Sequence, residues 1–288
     1  MVPKYGVVVD VAERIRARGA DLTAAERRIA EVILQTPQSI GFGTVAELAQ
    51  SANVGAASVV RLATKLGFDG YTELQQAIQG ELLQQLRPAA ERIRTAGGHT
   101  RDEHTDTEVS NVQATLDGVE ATAFEALVGR LALLDRPVAV LASEASRGVA
   151  TQFTSQLRQL RPSVDLVGGD EVTVHRELAL LDERATVLVV DLRRYERWVL
   201  EAHAAVAARG LWSAGVTDSM LSPIASRADV AFVVAASSSG PFDSFVGVLA
   251  LLNLVASETA ARLKGSATER LAAIEAAWTS QASLTTGE

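Results

Sequence analysis

Charged and hydroxyl side chains follow short apolar runs in the second half of the sequence. Ser-Glu-Ala-Ser-Arg comes after residues 138–142, Asp-Leu-Arg-Arg-Tyr-Glu after residues 186–190, and a serine-rich segment soon after residues 230–235. If these runs are parallel strands of an open sheet, their carboxyl ends share the edge at which such sheets bind ligands. Because arginine guanidinium groups bind anions in pairs, this edge predicts a site for a small ligand, such as a phosphosugar or another anion. The candidate ligand-binding residues are Ser143, Glu144, Ser146, Arg147, Asp191, Arg193, Arg194, Glu196, Ser237 and Ser238.

A second set of residues predicts a helix-turn-helix motif, in which two helices cross closely. Ala49 is the small residue required at the crossing, and Asn53, four positions later, tolerates the left-handed conformation of the turn. Apolar residues are present where the space between the helices must be filled, namely Leu48, Ala52, Val54, Val59 and Leu62. These residues leave open one alternative, an ordinary three- or four-helix packing unit with alanine-rich contacts.

The second helix of this motif, predicted over about 56–66, has an outward face suited to the major groove of DNA. Such a helix reads base edges near its N-terminus and binds phosphates through basic side chains. We expect Arg61 and Lys65 to carry much of the affinity. The candidate DNA-contacting residues are Thr44, Gly55, Ala56, Ala57, Ser58, Val60, Arg61, Thr64 and Lys65.

The elements around this motif are helical from about residue 10 to residue 93. The segments Thr23-Ala-Ala-Glu26 and Thr44-Val-Ala-Glu47 are capping boxes, each of which predicts the start of a helix. Pro37 should end the first of these helices, and Gly67 is typical of the residue that follows a helix. Thr72 should start a further helix that runs toward residue 94.

The pattern changes after the polar segment 96–106, which we expect to link a domain of residues 1–95 to one of residues 107–288. Beyond it, Val- and Leu-rich runs alternate with helical stretches, as expected of parallel strands buried on both faces. The predicted fold class is therefore α + α/β: an all-helical helix-turn-helix domain followed by a doubly wound parallel-sheet domain. The apolar stretch 244–263 predicts a helix buried in the domain core or at a subunit interface. The polar turn 237–243 before it either supplies a helix cap, at Asp243 or Ser244, or lines the ligand pocket.

Three segments of the N-terminal domain closely resemble the RpiR/MurR family of regulators. They are Val-Ala-Glu-Leu-Ala at 45–49, Val-Gly-Ala-Ala-Ser-Val-Val-Arg at 54–61, and Lys-Leu-Gly-Phe-Asp-Gly-Tyr-Thr-Glu-Leu at 65–74. One departure is Gly55, where the family has a serine that caps the recognition helix; the substitution costs only about a few tenths of a kcal/mol. The resemblance implies a C-terminal sugar-isomerase-like (SIS) domain and a cytoplasmic regulator of a carbohydrate-related operon.

The SIS resemblance covers about 125–265 and is good in the framework but poor in the ligand loops. After the first strand, SIS domains have Gly-x-Gly-x-Ser, of which this sequence keeps only Ser146. After the third strand they have Ser-x-Ser-Gly-x-Thr, whose hydroxyls cradle a sugar phosphate together with helix N-terminal amides. Asp191, Arg193, Arg194 and Glu196 occupy those positions here.

Glu144, Asp191 and Glu196 thus take positions that a phosphate normally faces. A carboxylate about 5 Å from a phosphate costs on the order of 3 kcal/mol per unit of charge at an effective dielectric near 20. We expect Arg193 and Arg194, with nearby Arg147, to compensate and to dominate effector binding. Two alternatives stay open: the acids pair with these arginines, leaving a neutral or zwitterionic ligand or none, or the arginines are simply solvated.

Composition narrows the function classes. The net charge of −8 argues against indiscriminate nucleic-acid binding, but residues 1–95 carry a net +1 and the remainder a net −9, so a DNA contact belongs at the N-terminus. The absence of cysteine excludes disulfides and thiolate metal sites, and the four histidines are scattered, so we expect no metal site and no cofactor. We expect neither a signal peptide nor a transmembrane helix.

The function expected from these observations is a ligand-responsive regulator that binds double-stranded operator DNA. We expect it to be a homodimer or homotetramer, without catalytic activity and without a membrane partner. The alternatives are a SIS-type sugar-phosphate isomerase or non-catalytic sugar-phosphate-binding protein, and a helical interaction module on a sensor domain that does not bind DNA.

Overall fold

The computed structural model describes residues 11–35, 40, 43–85, 89–95 and 100–281. Our predictions for the first ten residues, for Pro37 and for residues 96–99 of the linker fall outside these ranges.

The first half of the described chain is helical, as predicted. Its helices pack around one apolar cluster in which Ile29, Leu48, Leu62 and Leu74 are fully buried. The elements are α1 (Val11–Ala17), a 3-10 turn (Gly19–Asp21), α2 (Ala24–Gln35), α3 (Val45–Ser51), α4 (Ala56–Lys65), α5 (Tyr71–Gln85) and α6 (Ala89–Thr95). The single helix predicted from Thr72 is described as two, α5 and α6, with residues 86–88 between them outside the described ranges.

Both predicted capping boxes are present. The Thr23 amide donates to Glu26 Oε2 at 2.8 Å, and the Glu26 amide donates to Thr23 Oγ1 at 3.3 Å. Thr44 and Glu47 make the same reciprocal pair at the start of α3. Gly67 follows α4 with a φ of +85°, a conformation that strains any residue with a side chain. Local hydrogen bonding therefore fixes where these helices begin and end.

The second half is a parallel sheet covered by helices. Within the described residues one sheet has the strand order β2-β1-β3-β4-β5, with every neighbouring pair parallel. The elements are α7 (Arg101–Asp117), α8 (Ala121–Leu131), β1 (Val138–Ala142), α9 (Arg147–Leu160), β2 (Val164–Val167), α10 (Glu171–Leu180), β3 (Thr186–Val190), α11 (Arg197–Ala208), β4 (Trp212–Thr217), β5 (Val230–Val233) and α12 (Val246–Ser280).

Side chains of each strand alternate between two apolar clusters, because successive residues of a strand point to opposite faces. Val138 and Val140 pack with α8, α9 and α12 on one face of the sheet. Ala139 and Leu141 pack with α10 and α11 on the other. This three-layer arrangement is the doubly wound fold that the runs of Val and Leu predict.

The polar linker predicted over 96–106 is too long. Thr100 and Glu103 form a capping box, and α7 begins at Arg101. This helix packs with the sheet half: the Ala235 amide donates to Thr115 Oγ1 at 2.9 Å. Polar composition suggested a linker, but the capping signal and the buried contacts of α7 place residues 101–106 in a helix.

Helix α12 extends past the predicted 244–263 and reaches Ser280, with a break in its backbone conformation at Lys264. Its apolar part is long enough to cross a membrane by length and composition, yet Val248 and Leu251 are buried against the sheet. The N-cap is Phe245 and not the predicted Asp243 or Ser244, because the helix begins at Val246; Ser244 Oγ accepts from the Val246 amide one residue before the cap. We therefore describe α12 as a core helix of the sheet half.

Candidate functional site

The turn between α3 and α4 has the geometry predicted for a helix-turn-helix. Asn53 adopts a φ of +51°, and the Val54 amide donates to the Ala49 carbonyl at 2.9 Å. The chain therefore reverses directly over the small side chain of Ala49. Val59 and Leu62 of α4 are fully buried, so that the opposite face of α4 points outward.

The outward face of α4 carries most of the predicted DNA-contacting residues. Val60 is 44% exposed although it is apolar, and the Arg61 guanidinium reaches solvent while donating to Ser58 Oγ at 2.8 Å. The exposed residues of this face are Ala56, Ala57, Val60, Arg61 and Thr64. Small side chains near the N-terminus of α4 would let its backbone approach a groove closely, and Arg61 would supply a charge.

Lys65 is not a free cation on this face. Its Nζ lies 2.9 Å from Glu26 Oε2 and also donates to the Asp21 carbonyl. The Thr23 amide and then Lys65 hold the pKa of Glu26 below its usual value. Thr44 and Gly55 are exposed N-caps of α3 and α4. Lys65 thus ties α4 to α2, a role that its position on the helix did not reveal.

The carboxyl ends of β1 and β3 form a switch point of the sheet, and we call the space between the loops that follow these two strands the crevice. These strands are neighbours, but α9, which follows β1, covers one face, and α11, which follows β3, covers the other. The two loops diverge at this switch point, where open α/β sheets bind ligands. The loops remain joined at their base, where the Ser143 amide donates to the Val190 carbonyl.

Three predicted ligand residues form the floor of this crevice instead of its surface. Ser143 and Ser146 are buried, and their hydroxyls bond to each other at 3.1 Å. Asp191 is 3% exposed and accepts from the Glu196 amide at 2.9 Å. Burial raises the pKa of Asp191 to about 6, although hydrogen bonds from Ser143 and Glu196 oppose the rise. These groups stabilise the loops and are not open to a ligand.

Glu196 joins the two loops across the crevice. Its Oε1 accepts from the Glu144 amide at 2.9 Å, and its Oε2 accepts from Trp198 Nε1. Beside it, a cleft of about 420 Å³ opens between α10 and α11. The cleft is lined by Gly169, Glu171, Val174, His175, Glu196, Arg197, Trp198 and Glu201.

Arg193 belongs to an ion-pair network with Asp243. Its guanidinium lies 2.6 Å from Asp243 Oδ1 and donates to the Ala236 carbonyl. The same oxygen of Asp243 lies 2.6 Å from Arg92 on α6, which also donates to the Phe242 carbonyl. Asp243 therefore connects a crevice loop to the last described helix of the N-terminal half.

The three predicted arginines do not converge on one anion. Arg194 is exposed, and its φ of +68° is unusual for a residue with a side chain. The resemblance to SIS domains implies a glycine at this position, as expected where the backbone adopts a positive φ. Arg147 points toward the end of β2, with its guanidinium against Gly168.

Ser237 and Ser238 hold their own loop in place. Asn111 of α7 donates to the Ser237 carbonyl at 2.7 Å and accepts from the Ser237 amide at 3.1 Å. Ser238 Oγ accepts from the Gly240 amide. Among the described residues, no group of three or more His, Asp and Glu side chains could hold a metal ion.

Sequence reasoning missed Arg92, Asn111 and the ionic role of Asp243. The partners Arg92 and Asp243 are 151 residues apart, and Asn111 and Ser237 are 126 apart. The local signal for these contacts is the polar turn before α12, for which the sequence predicts either a helix cap or a role in lining the ligand pocket.

Two family models match the chain: a helix-turn-helix domain of the rpiR family over residues 9–85, and a SIS domain over residues 136–258. The sugar isomerase domain of an RpiR transcription factor from Sphaerobacter thermophilus is 30% identical, covers 60% of this chain and 97% of that one, and superimposes with a TM-score of 0.55. The chain belongs to the rpiR family. It is a DNA-binding transcriptional regulator with a SIS domain, the architecture of ligand-responsive regulators of sugar metabolism.

Two further proteins show how far the similarity extends. The transcriptional regulator HexR of Pseudomonas aeruginosa is 44% identical over 63 residues, which are 22% of this chain and 22% of that protein. The NanR protein of Vibrio vulnificus, solved in complex with ManNAc-6P, is 18% identical over 94% of this chain and 99% of that one, with a TM-score of 0.56. The first aligns over about one fifth of its length, and the second shares the fold.

Proposed function

We propose that this regulator binds operator DNA through α4 and that a small sugar-derived ligand at the crevice between β1 and β3 controls this binding. The observation that carries the proposal is the double ion pair of Asp243, because it links a crevice loop to the DNA-binding half. The NanR complex with ManNAc-6P supports a phosphosugar as the class of ligand. Arg194, exposed at the crevice, is the arginine best placed to meet it.

A change at the crevice would reach the DNA-binding half by two routes. A ligand that draws Arg193 away from Asp243 leaves Arg92 as the remaining partner of that carboxylate, and Arg92 lies on α6. Leu221, in the loop after β4, is buried in the apolar cluster of the helical half. Both contacts start from loops at the carboxyl edge of the sheet, where the ligand would bind.

DNA binding is tested by fluorescence anisotropy with operator and random duplexes at low and high salt. Binding should weaken steeply as salt rises, because phosphate contacts release counterions. Arg61→Ala should weaken operator binding by about 1–3 kcal/mol if this side chain reads a guanine. Arg184→Ala, an exposed arginine of the sheet half, is the matched control. Equal binding by all three proteins would refute the placement of the DNA-reading helix.

Coupling is tested by Asp243→Asn, which removes the charge that both arginines share. Operator affinity, or its response to a panel of sugar phosphates chosen by thermal shift, should change. Asp182→Asn is the control, since its ion pair with Arg184 is exposed. If Asp243→Asn behaves as the control does, Asp243 does not connect ligand to DNA. Arg194→Ala should weaken the thermal shift produced by the active sugar phosphate.

We further propose that the protein has no isomerase activity and is a cytoplasmic homo-oligomer without a membrane partner. The replacement of SIS hydroxyls by Asp191, Arg193 and Glu196 supports the first point, because an isomerase must hold the phosphate of its substrate. The proposed division is a DNA-binding domain of residues 1–95 and a sensor domain that starts with α7. Turnover of glucosamine 6-phosphate or arabinose 5-phosphate by the pure protein would overturn the non-catalytic assignment.

A further inference from the structure

The Glu196 side chain fills the position at which the β1 loop could receive an anionic oxygen. Its Oε1 lies 2.9 Å from the Glu144 amide, in the turn that leads from β1 into α9. Backbone amides at such a turn favour anions, as the helix dipole does. The protein thus supplies its own carboxylate to a donor that a ligand phosphate would otherwise use.

Both oxygens and the backbone of Glu196 are engaged. Oε2 accepts from Trp198 Nε1, and the Glu196 amide donates to Asp191 Oδ2 at 2.9 Å. The carboxylate is therefore held from two sides, and its backbone is fixed to the floor of the crevice. Glu196 is the N-cap of α11 but makes no side-chain capping bond, so its Oε1 is directed across the crevice instead of to the backbone amides of its own helix.

A tethered group competes strongly with a free one. Groups joined by a short flexible link act at an effective concentration on the order of millimolar. A free anion well below that concentration cannot displace the carboxylate through the same amide alone. Asp191 lies beneath the loop, and its ionised carboxylate disfavours a second negative charge near the Glu144 amide.

We infer that Glu196 determines ligand specificity by occupying the anion position of the crevice. It excludes free phosphate and sugar phosphates that bind through the phosphate alone. A ligand that does bind must add contacts from its remaining atoms, and the 420 Å³ cleft next to Glu196 provides the space for them. This inference rests on the proposed ligand crevice and adds a selection rule to it.

The test measures the binding of inorganic phosphate by titration calorimetry to the full-length protein and three variants. Glu196→Thr restores the hydroxyl of the SIS loop, and Glu196→Gln removes only the charge. Glu183→Gln is the matched control, because Glu183 is an exposed glutamate of the sheet half that does not line this cleft. We expect Glu196→Thr to bind phosphate about tenfold or more tightly than the parent, and Glu183→Gln to match the parent.

Three results would overturn the inference: equal phosphate affinity in the parent and Glu196→Thr, no phosphate binding by Glu196→Thr, or an equal gain in Glu183→Gln. Threonine is a favourable N-cap residue, so the variant should fold, and melting curves verify this. Glu196→Gln should gain less phosphate affinity than Glu196→Thr, because the glutamine amide oxygen can still accept from the Glu144 amide. A larger gain would also contradict the inference that the carboxylate occupies the anion position. Operator binding is measured separately. If Glu196→Thr gains phosphate affinity but the protein does not bind operator DNA, the proposed function is rejected and the inference about Glu196 stands.

Discussion

Asp191→Asn should stabilise the protein at neutral pH. The Asp191 carboxylate is 3% exposed, and its pKa is raised from 3.8 to about 6, chiefly because burial disfavours the charged form. A tenfold change in proton affinity corresponds to about 1.4 kcal/mol. Holding this carboxylate ionised above pH 6 therefore costs the folded state about 3 kcal/mol relative to the unfolded chain. Asparagine removes the charge and can still accept from the Glu196 amide.

The direction in which stability changes with pH follows from the number of protons bound by the folded and unfolded states. Between about pH 4 and 6 the folded protein holds a proton on Asp191 that the unfolded chain has lost, so the stability contributed by this group falls as pH rises through that window. The pKa of buried His203 is lowered to about 4 by burial, which makes stability rise with pH between about 4 and 6.5. Because His203 is present in both proteins, its contribution cancels in the comparison.

The assay is urea unfolding of the parent and Asp191→Asn at pH 4.5 and at pH 7.5. We expect the variant to be more stable by about 1–3 kcal/mol at pH 7.5, the lower figure allowing for an amide N–H without a partner, and the advantage to shrink toward pH 4.5. Asp165→Asn, at an exposed aspartate of β2 paired with Arg158, should change stability by about 1 kcal/mol or less. A variant advantage that does not depend on pH would refute the assignment of a raised pKa to Asp191.

Three further predictions concern single contacts, and a fourth concerns the oligomeric state. Lys65→Ala should lower the melting temperature, because it leaves Glu26 without its cation. An unchanged melting temperature together with weaker DNA binding would show that Lys65 contacts DNA instead. Arg161→Leu should destabilise by about 2–5 kcal/mol in urea unfolding, since the fully buried guanidinium donates to the carbonyls of Leu131, Arg136 and Pro162; a loss below about 1 kcal/mol would contradict this. Leu221→Ala should speed limited proteolysis between the two halves, whereas Leu271→Ala, at an exposed site of α12, should not. Light scattering at micromolar concentration should give at least a dimer, and a monomer with and without DNA would reject the oligomer.

The helices, caps and strands could be predicted because their signals are local. A capping box joins residues three apart, and Thr23 with Glu26 and Thr44 with Glu47 form the predicted pairs. The apolar runs at 138–142, 186–190 and 230–235 agree with β1, β3 and β5 to within two residues at every end, because a strand buried on both faces needs a continuous run of apolar residues. Asn53 was identifiable because few residues tolerate a positive φ.

The ionic contacts of the site depended on tertiary structure. Lys65 and Glu26 are 39 residues apart, and Glu144 and Glu196 are 52 apart. Sequence reasoning placed the charged residues at the correct edge of the sheet but could not assign partners, because each charge had several candidates within reach. Arg193, for example, pairs with Asp243, which the sequence places in a polar turn that either caps a helix or lines the ligand pocket. Effector binding by Arg193 and Arg194 stays a prediction.

The sequence by itself therefore determined the two-part architecture, the outward face of α4 and the edge of the sheet at which a ligand would bind, since all three follow from residue periodicity and local hydrogen bonding. Only the tertiary structure decided which charges are free. Arg61 remains exposed, while Lys65 and Arg193 are held by Glu26 and Asp243. The physical reason is that a charge is neutralised by whichever opposite charge the fold brings within about 4 Å, and that distance depends on how the elements pack.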